Sequence, residues 1–243
     1  MKVELLTSKD FLQDMVNDAV RAAQTCYASE GKDVDTKEFL LRIIDKGHES
    51  ILEHISLKYK VNGLSRACLQ ELARHRLLSL SVESTRHTLK KKLQDKNAVE
   101  QILKDVHDIL PSVVYVNLTD FFKHFAGVSD VTLNGNPFYC EVSSLMMVLV
   151  EYMSKMGKGY EVIDGKRSEE VTPIPNDELK YFLPEFWPTN LYMTVNLREL
   201  RHILDLRTAS NVLKEFRVLC HEMFNAVPDE FKYLLKDCVH EEV

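Results

Sequence analysis

Arginine, histidine and hydroxyl side chains are concentrated in one segment of this 243-residue chain. Residues 74–76 (RHR) are followed, after LLSLSVE, by residues 84–87 (STRH). A guanidinium group binds oxygen atoms in pairs, so this set of donors suits a phosphate group or a ring carbonyl. The same composition is typical of a solvated or salt-bridged surface loop, and composition alone leaves both interpretations open.

A further arginine, Arg207, lies in an apolar context. At helical spacing Leu200, Ile203 and Leu204 share one face, and Arg207 falls on the same side. A guanidinium that faces apolar side chains needs an anion or several acceptors, because it keeps its proton. A bound anion meets this need, and so does a structural ion pair with Asp205 or with a more distant carboxylate.

Metal and thiol chemistry are poorly supported. HESILEH (residues 48–54) holds two histidines that are six residues apart, so on a helix they would lie on different faces. Zinc-binding helices place their histidines at i and i+4. We therefore predict no metal site. The five cysteines form no C-x-x-C pair and are predicted to be buried thiols. Glycine-rich dinucleotide, P-loop and hydrolase-elbow motifs are missing from the sequence.

Hydrophobic periodicity predicts the elements that must position these residues. Apolar residues recur at helical spacing after Ser8, a favoured N-cap residue, and a second helix over residues 36–46 ends at Gly47. ISLKYKV (residues 55–61) alternates apolar and polar residues, which predicts a half-buried strand. Strands are also predicted for residues 2–6 and 191–197, helices for residues 64–73, 97–110, 138–156, 198–207 and 212–224, a loop for residues 74–88, and surface connections for residues 128–137 and 157–176.

Composition limits the class of protein. The net charge is −6, the opposite of what a protein that coats nucleic acid or an anionic membrane normally carries. No apolar run approaches the ~20 residues of a membrane-spanning helix, and MKVELLTSKDF lacks the apolar stretch of a signal peptide. We expect a cytoplasmic protein without nucleic-acid or membrane partners. Helices outnumber strands, so residues 1–243 are predicted to form a single α+β domain with helices around a small sheet.

Three segments together resemble one enzyme family. LQELARHRLLSLSVESTRHT (residues 69–88) contains RHR, seven residues and then Ser84, and resembles the signature segment of the flavin-dependent thymidylate synthases. GHESILEH and VNLRELRHILDLR resemble the family's upstream and C-terminal segments, and LKYFLP stands where the family has an arginine before Leu-Pro. Order and spacing match over most of residues 1–240, whereas residues 89–177 match loosely.

The resemblance implies a mainly antiparallel sheet and a homotetramer with active sites shared between subunits. It implies methylation of dUMP to dTMP, with the carbon from 5,10-methylenetetrahydrofolate and the hydride from NADPH by way of FAD. The family uses no cysteine nucleophile, which agrees with the lack of a cysteine in any matching segment.

The resemblance also assigns site residues by position. Arg207 is implied to stabilise the N3-deprotonated uracil, Ser84 acts with it as a catalytic residue, and Arg86 meets the phosphate. The residues implied to bind FAD are His48, Ser50, Glu53, Arg74, His75, Arg76, Leu77, Ser81, Asn196, Arg198 and His202. The residues implied to bind dUMP are Gln70, Arg74, Val82, Glu83, Ser84, Thr85, Arg86, Lys180 and Arg207.

Two alternatives accompany this interpretation. The chain differs from the family's commonest pattern at Ser81, Val82 and Lys180, which allows a flavoprotein NADPH oxidase of the same fold without methyltransferase activity. An alternative from another class is a non-catalytic RNA-binding module that uses residues 74–92. For such a module we expect a colourless protein whose affinity for RNA falls steeply with salt concentration.

Overall fold

The computed structural model describes residues 1–95, 97, 115–117, 132–133, 136–137, 139–141, 153–154, 161–163, 166–168, 175–183 and 185–240. The chain forms two compact units. The first comprises residues 1–83 together with residues 188–243, and the second comprises residues 84–187. The expectation of a single domain over residues 1–243 stays a prediction.

A four-stranded antiparallel sheet forms the centre of the first unit. Its strands are β1 (Lys2–Leu5), β2 (Ser56–Ser65), β10 (Pro188–Asn196) and β3 (Leu78–Val82), in the spatial order β1-β2-β10-β3. Each neighbouring pair is antiparallel. The small sheet with surrounding helices confirms the predicted α+β class.

Alternation of side chains fixes which face of the sheet is buried. On β10 the side chains of Leu191, Met193 and Val195 are buried, whereas Tyr192 between them is exposed. Tyr59 of β2 is fully buried on the same apolar side, and its hydroxyl donates to the backbone oxygen of Met223 at 3.3 Å. One face of the sheet therefore packs against the hydrophobic core, and the opposite face is accessible to solvent.

The first two helices of this unit begin at residues whose side chains cap them, and Ser8 is the cap that the sequence predicted. Ser8 caps α1 (Lys9–Cys26) by accepting from the Phe11 amide, and Asp35 caps α2 (Thr36–Asp45) in the same way. Gly47 follows α2 with a φ of 71°, the left-handed conformation that the sequence predicted for a helix end. The other helices of this unit are α3 (Arg66–Leu72), α6 (Leu197–Arg207) and α7 (Lys214–Asn225), with 3-10 helices at Glu49–His54, Asp229–Leu234 and Lys236–Cys238.

The prediction of a loop over residues 74–88 is wrong. Residues Leu78–Val82 form strand β3, and Thr85–Gln94 form helix α4. Leu78 and Leu80 pack against the core at the period of a strand, and pairing with β10 supplies the hydrogen bonds. The apolar alternation is only a few residues long, and the surrounding charged residues hide it from a pattern search.

The second unit is described in parts. It contains α4, α5 (Asn176–Leu179) and a 3-10 helix at Lys180–Phe182, and a small core gathers Leu89, Leu93, Met153, Leu179 and Trp187. Its short antiparallel pairs are β4 (Tyr115–Asn117) with β7 (Tyr139–Glu141), β5 (Thr132–Leu133) with β6 (Asn136–Pro137), and β8 (Glu161–Ile163) with β9 (Lys166–Ser168).

Several sequence predictions fall in this unit. The helix predicted over residues 138–156 is wrong at its start, because residues Tyr139–Glu141 pair as a strand, and most of its remainder lies outside the described residues. The helix predicted over residues 97–110 lies almost wholly outside them as well. Each of the two predicted surface connections contains one of the short strand pairs.

Candidate functional site

A polar cavity of about 640 Å³ opens in the first unit. Its wall is formed mainly by the 3-10 helix Glu49–His54 and by the first half of α6. Five residues that the resemblance assigned to FAD lie on it, namely Glu53, Leu77, Asn196, Arg198 and His202. Three separate sequence segments are thus brought together around one space.

The junction between β10 and α6 sets the geometry of this wall. Asn196 ends the strand, and its side-chain oxygen accepts from the Glu199 amide at 2.8 Å, which caps α6. Arg198 and His202 are four residues apart in the helix, so they project on one side. The exposed side chain of Leu77 adds an apolar surface to the same cavity.

Three carboxylates of the cavity wall are paired with arginines. Glu53 accepts from Arg198 at 2.6 Å at the surface of the wall. Arg201 is buried and donates to both oxygens of Asp237 at 2.8 and 2.6 Å, and to Glu49 at 3.1 Å. The hydrogen bond from Arg201 holds the pKa of Asp237 below its usual range. Arg201 is therefore a structural cation of the wall, already saturated by protein acceptors.

Arg207, at the end of α6, lies in a cluster behind this cavity. Its Nε donates to Nε2 of His75 at 3.1 Å, and its Nη1 lies 3.3 Å from a carboxylate oxygen of Glu71. The guanidinium carbon lies 4.9 Å from the ring centroid of Phe216, a cation–π distance. The carboxylate paired with Arg207 is thus Glu71 of α3, whereas Asp205 contacts His240 at 3.2 Å.

His75 is buried among these groups and must be neutral to receive the Arg207 hydrogen bond. A guanidinium only donates, so Nε2 of His75 carries no proton and Nδ1 does. Nδ1 lies 3.5 Å from a carboxylate oxygen of buried Glu199. Burial, reinforced by the charge of Arg207, lowers the pKa of His75 to about 4, and burial raises the pKa of Glu199.

His202 links the cavity to the arginine cluster. It lies on the cavity wall, and its ring centroid is 6.1 Å from that of His75 in an edge-to-face arrangement. His75 makes a similar contact with Phe216 at 6.0 Å. The imidazole rings of His202 and His75 therefore connect the cavity that gathers predicted FAD residues to the arginine predicted to face uracil.

The start of α3, which leads to His75, is held by a buried carboxylate. Glu215 of α7 accepts from the Ser65 amide at 2.8 Å and also from its hydroxyl. The Ser65 hydroxyl oxygen in turn accepts from the Cys68 amide at 3.1 Å and caps α3. These contacts fix the helix that carries Gln70 and Glu71 and ends just before His75.

The remaining predicted residues of the first unit occupy separate positions. Glu83 is tied to β10, because Asn190 donates to its carboxylate at 2.6 Å. His48 lies on the wall of a different cavity, and the side chains of Ser50, Gln70, Arg74, Arg76, Ser81 and Val82 are exposed. Their assigned contacts with FAD and dUMP stay predictions.

The second unit carries the other residues assigned to dUMP. Ser84 is the N-cap residue of α4, and Thr85 and Arg86 form the first turn of that helix. Arg86 donates to Asp177 at 2.8 Å, and the Lys180 ammonium lies 3.9 Å from the same carboxylate oxygen. Two cations assigned to dUMP therefore share one protein anion.

Sequence reasoning missed several of these residues. Glu199 follows Asn196 by three positions, a capping-box spacing that could have predicted its place in the first turn of α6. Arg201 lies four residues after Leu197 and three before Leu204, so the helical pattern places it on the buried face. Nothing in the sequence signals that Asp177 pairs with Arg86, because the two are far apart along the chain.

Within the described residues, no group of three or more His, Cys, Asp or Glu side chains is arranged to hold a metal ion. No helix of this part of the chain is long and apolar enough to cross a bilayer. Cys68, Cys220 and Cys238 are buried free thiols, as predicted, whereas Cys26 is exposed. Burial raises the pKa of Cys220 to about 12, which leaves that thiol protonated and unreactive at neutral pH.

The fold and the site together define an α+β protein with a polar cavity beside a buried histidine that is bonded to a partly exposed arginine. Comparison with known proteins gives the family. A family model described as "Thymidylate synthase complementing protein" matches residues 9–231. The flavin-dependent thymidylate synthase of Helicobacter pylori (strain ATCC 700392 / 26695) is 32% identical over 227 residues, covering 91% of this chain and 93% of the relative.

Two further comparisons agree. The flavin-dependent thymidylate synthase of Campylobacter jejuni (strain RM1221) is 31% identical, covering 91% of this chain and 92% of the relative. The crystal structure of thymidylate synthase X from Helicobacter pylori with FAD and dUMP aligns with a TM-score of 0.67 at 27% identity, covering 99% of this chain and 100% of that one. The chain belongs to the flavin-dependent thymidylate synthase family, which confirms the resemblance and the prediction of an enzyme.

Proposed function

We propose that this protein converts dUMP to dTMP, with 5,10-methylenetetrahydrofolate as the carbon donor and NADPH-reduced FAD as the hydride donor. One observation carries the proposal. Arg207 is held by neutral His75, whose ring contacts His202 on the wall of the cavity that gathers predicted FAD residues. Family membership and the FAD and dUMP present in the related crystal structure support it.

The residues around the first cavity fit a flavin cofactor. Arg198 and His202 offer donors to oxygen and nitrogen atoms of a flavin or its phosphates, and exposed Leu77 offers an apolar surface to a ring. Bound FAD would supply the hydride that reduces the transferred carbon. The chain's part is then to bind and orient the reactants and to keep water from the reacting atoms.

Arg207 is suited to stabilise negative charge on the pyrimidine. Its guanidinium is oriented on one side by His75 and on its face by Phe216, so little reorganisation is needed when charge develops. Glu71 occupies one end of the guanidinium at 3.3 Å. A uracil carbonyl with a deprotonated N3 is chemically similar to that carboxylate and can replace it.

The phosphate of dUMP is assigned to residues at the start of α4. Ser84 and Thr85 offer hydroxyls, and Arg86 and Lys180 offer positive charge. Both cations lie near the same carboxylate oxygen of Asp177, so the two can bind one anion together. Lys180 supplies charge without the paired donors of an arginine, so its contribution is electrostatic rather than geometric.

We also propose a cytoplasmic homotetramer in which active sites are shared between subunits. The first cavity supports this assembly through its charge. Carboxylates on its wall outnumber the arginines, and Arg198 and Arg201 are both paired with them. The diphosphate of a dinucleotide needs additional cations, which a second subunit could provide.

The direct test is formation of dTMP by the purified protein supplied with FAD, NADPH, methylenetetrahydrofolate and dUMP. We expect a yellow protein, bleaching of its flavin absorbance by NADPH, and dTMP that forms only when dUMP is present. NADPH oxidation without dTMP would instead identify a flavoprotein oxidase. A colourless protein that fails to take up added FAD would exclude both flavin-dependent functions.

A further inference from the structure

A second cavity of the first unit, of about 360 Å³, differs from the first in the charge of its wall. Three cations, Lys32, Arg42 and Lys46, line it beside His48, and none of the described residues on its wall is an aspartate or a glutamate. An accumulation of cations without carboxylates attracts anions, and it is unexpected in a chain with a net charge of −6.

These cations have no counter-ions elsewhere in the described part of the chain. Lys32, Arg42 and Lys46 form no ion pair there, whereas Arg198 and Arg207 of the same unit each contact a carboxylate. Exposed cations repel one another when they converge without an anion between them. All three side chains are exposed, so solvent screens their repulsion, and a bound anion would remove what remains of it.

The same wall offers flat, apolar surface. Tyr27 and Phe39 both line the cavity, and Tyr27 is 60% exposed. The guanidinium carbon of Arg42 lies 5.5 Å from the ring centroid of Phe39, so the planar cation is stacked against an aromatic side chain. Such a surface binds an aromatic ring and presents a guanidinium beside it.

The wall is held in shape by a buried side chain and by a turn of the backbone rather than by the exposed cations. Gln24, which is buried, donates to the backbone oxygen of Lys32 at 2.7 Å and ties the segment after α1 to that helix. Gly47, with its φ of 71°, turns the chain from α2 directly into His48. A wall fixed in this way loses little conformational entropy when a ligand binds.

We propose that this second cavity is a subsite for an aromatic ring that carries anionic groups. The inference rests on the proposed function, because that reaction uses two kinds of molecule with such an end. One is the aminobenzoyl-glutamate end of the folate, and the other is the adenosine phosphate end of a dinucleotide. His48 lines the second cavity and the next residue, Glu49, lines the first, so the chain passes directly from one wall to the other.

Direct binding to the full-length, FAD-loaded protein tests the subsite. The probes are p-aminobenzoyl-glutamate with one or three glutamates, and ADP and 2′,5′-ADP, each titrated by calorimetry. We expect one probe series to bind, and to bind about tenfold more weakly to the double variant Arg42→Gln, Lys46→Gln, because two charge-assisted contacts are lost. Binding of the glutamyl series identifies the folate as the source, and binding of the adenosine series identifies the dinucleotide.

Lys37→Gln is the matched control. Lys37 also belongs to α2, but its ammonium lies 5.4 Å from the Tyr233 ring centroid and it does not line the cavity. We expect this variant to bind the probe as the parent protein does. Arg42→Lys keeps the charge but loses the planar guanidinium stacked on Phe39, so its affinity should lie between those of the parent and the double variant. If the double variant is unstable, Lys46→Gln alone allows the same comparison.

Two results overturn the subsite: neither probe series binds the parent protein, or the charge-removing variants bind as tightly as it does. Formation of dTMP is measured separately on the same preparations. If probe binding depends on Arg42 and Lys46 while no dTMP forms, the subsite stands and the proposed reaction is wrong. If dTMP forms normally while the probes bind equally well without these cations, the subsite is wrong and the proposed reaction stands.

Discussion

The Nε of Arg207 donates a hydrogen bond to Nε2 of His75 at 3.1 Å, which joins the last turn of α6 to the segment that follows α3. The bond exists only while His75 is neutral, because a protonated imidazole has no free acceptor nitrogen. The imidazole therefore orients the guanidinium through its Nε2 lone pair. Glu199, 3.5 Å from Nδ1, faces the nitrogen that carries the proton.

The depressed pKa of His75 predicts a pH dependence of stability. The unfolded chain takes up a proton near pH 6.5, whereas burial keeps the folded imidazole neutral down to about pH 4. Falling pH within this window therefore favours unfolding, by up to about 3 kcal/mol from this one group. His75→Gln, measured by urea unfolding, should flatten the decline of the free energy of unfolding between pH 6.5 and 4.

The comparison must be made between the two proteins, because other groups titrate nearby. Burial raises the pKa of Glu199, so the folded chain holds a proton that the unfolded chain releases just above pH 4.5. This effect has the opposite sign and is present in both proteins. Arg207, His202 and Glu71 also act on His75 electrostatically. Identical pH profiles for the parent and for His75→Gln would contradict the prediction.

Arg207→Ala should abolish most dTMP formation and leave the fold intact. Loss of a preoriented donor to a developing negative charge costs about 100- to 1000-fold in turnover. Arg207 is partly exposed, and water can solvate its partner Glu71 once the guanidinium is removed. We therefore expect a normal flavin spectrum and a small change in the free energy of unfolding.

Arg207→Lys separates charge from orientation. The lysine keeps a positive charge but has neither the Nε that bonds His75 nor the planar fork that stacks on Phe216. Its turnover should lie between those of the parent and Arg207→Ala. Near-normal dTMP formation by Arg207→Ala would show that Arg207 has no role in activation.

Two arginines three residues apart on α6 should respond differently to substitution by alanine. Arg201 is buried and bonded to Asp237, Glu49 and the backbone oxygen of Leu234, so Arg201→Ala should lower the free energy of unfolding by about 3 kcal/mol. Arg198 forms an exposed pair with Glu53, and its loss should cost less than about 1 kcal/mol.

For FAD affinity we expect the reverse order, with a larger effect of Arg198→Ala than of Arg201→Ala. Arg198→Ala removes a donor from the cavity wall, and we expect FAD affinity to fall about tenfold, the effect of one charge-assisted hydrogen bond. Urea unfolding and titration of the apoprotein with FAD measure the two effects. A large loss of stability in Arg198→Ala with unchanged FAD affinity would mean that Arg198 is structural.

Local signals in the sequence predicted the elements that position the site. Ser8, Gly47 and the alternation of residues 55–61 correctly predict a helix start, a helix end and a strand, because each depends on a few neighbouring residues. Strand β3 was missed because its stability comes from pairing with β10, more than 100 residues along the chain. Long-range pairing leaves only a weak local pattern in a short strand.

In the site, too, local features could be predicted from the sequence and long-range contacts could not. The apolar face of α6 correctly indicated that Arg207 needs an acceptor, since helical spacing alone shows its environment. Its acceptors, Glu71 and His75, come from a distant part of the sequence, and so does Asp237, which binds Arg201. A single sequence reveals that a buried charge must be paired, but the tertiary fold decides which residue pairs with it.

Asp177 should act as an internal competitor of the dUMP phosphate. Its carboxylate lies 2.8 Å from Arg86 Nε and 3.9 Å from Lys180 Nζ, the two cations assigned to that phosphate. Both pairs are largely exposed, so each contributes little to stability and a ligand can displace it. Asp177→Asn should therefore lower the KM for dUMP about two- to fivefold, the scale of a surface ion pair, without changing kcat.

Asp229→Asn is the control, because Asp229 forms an exposed pair with Lys232 that has no assigned role. It should leave the KM for dUMP unchanged. Added salt should narrow the difference between Asp177→Asn and the parent protein, since it screens exposed pairs in both. A KM for dUMP that rises in Asp177→Asn would mean that the carboxylate positions Arg86 for the phosphate rather than competing with it, because the freed guanidinium would then bind less well.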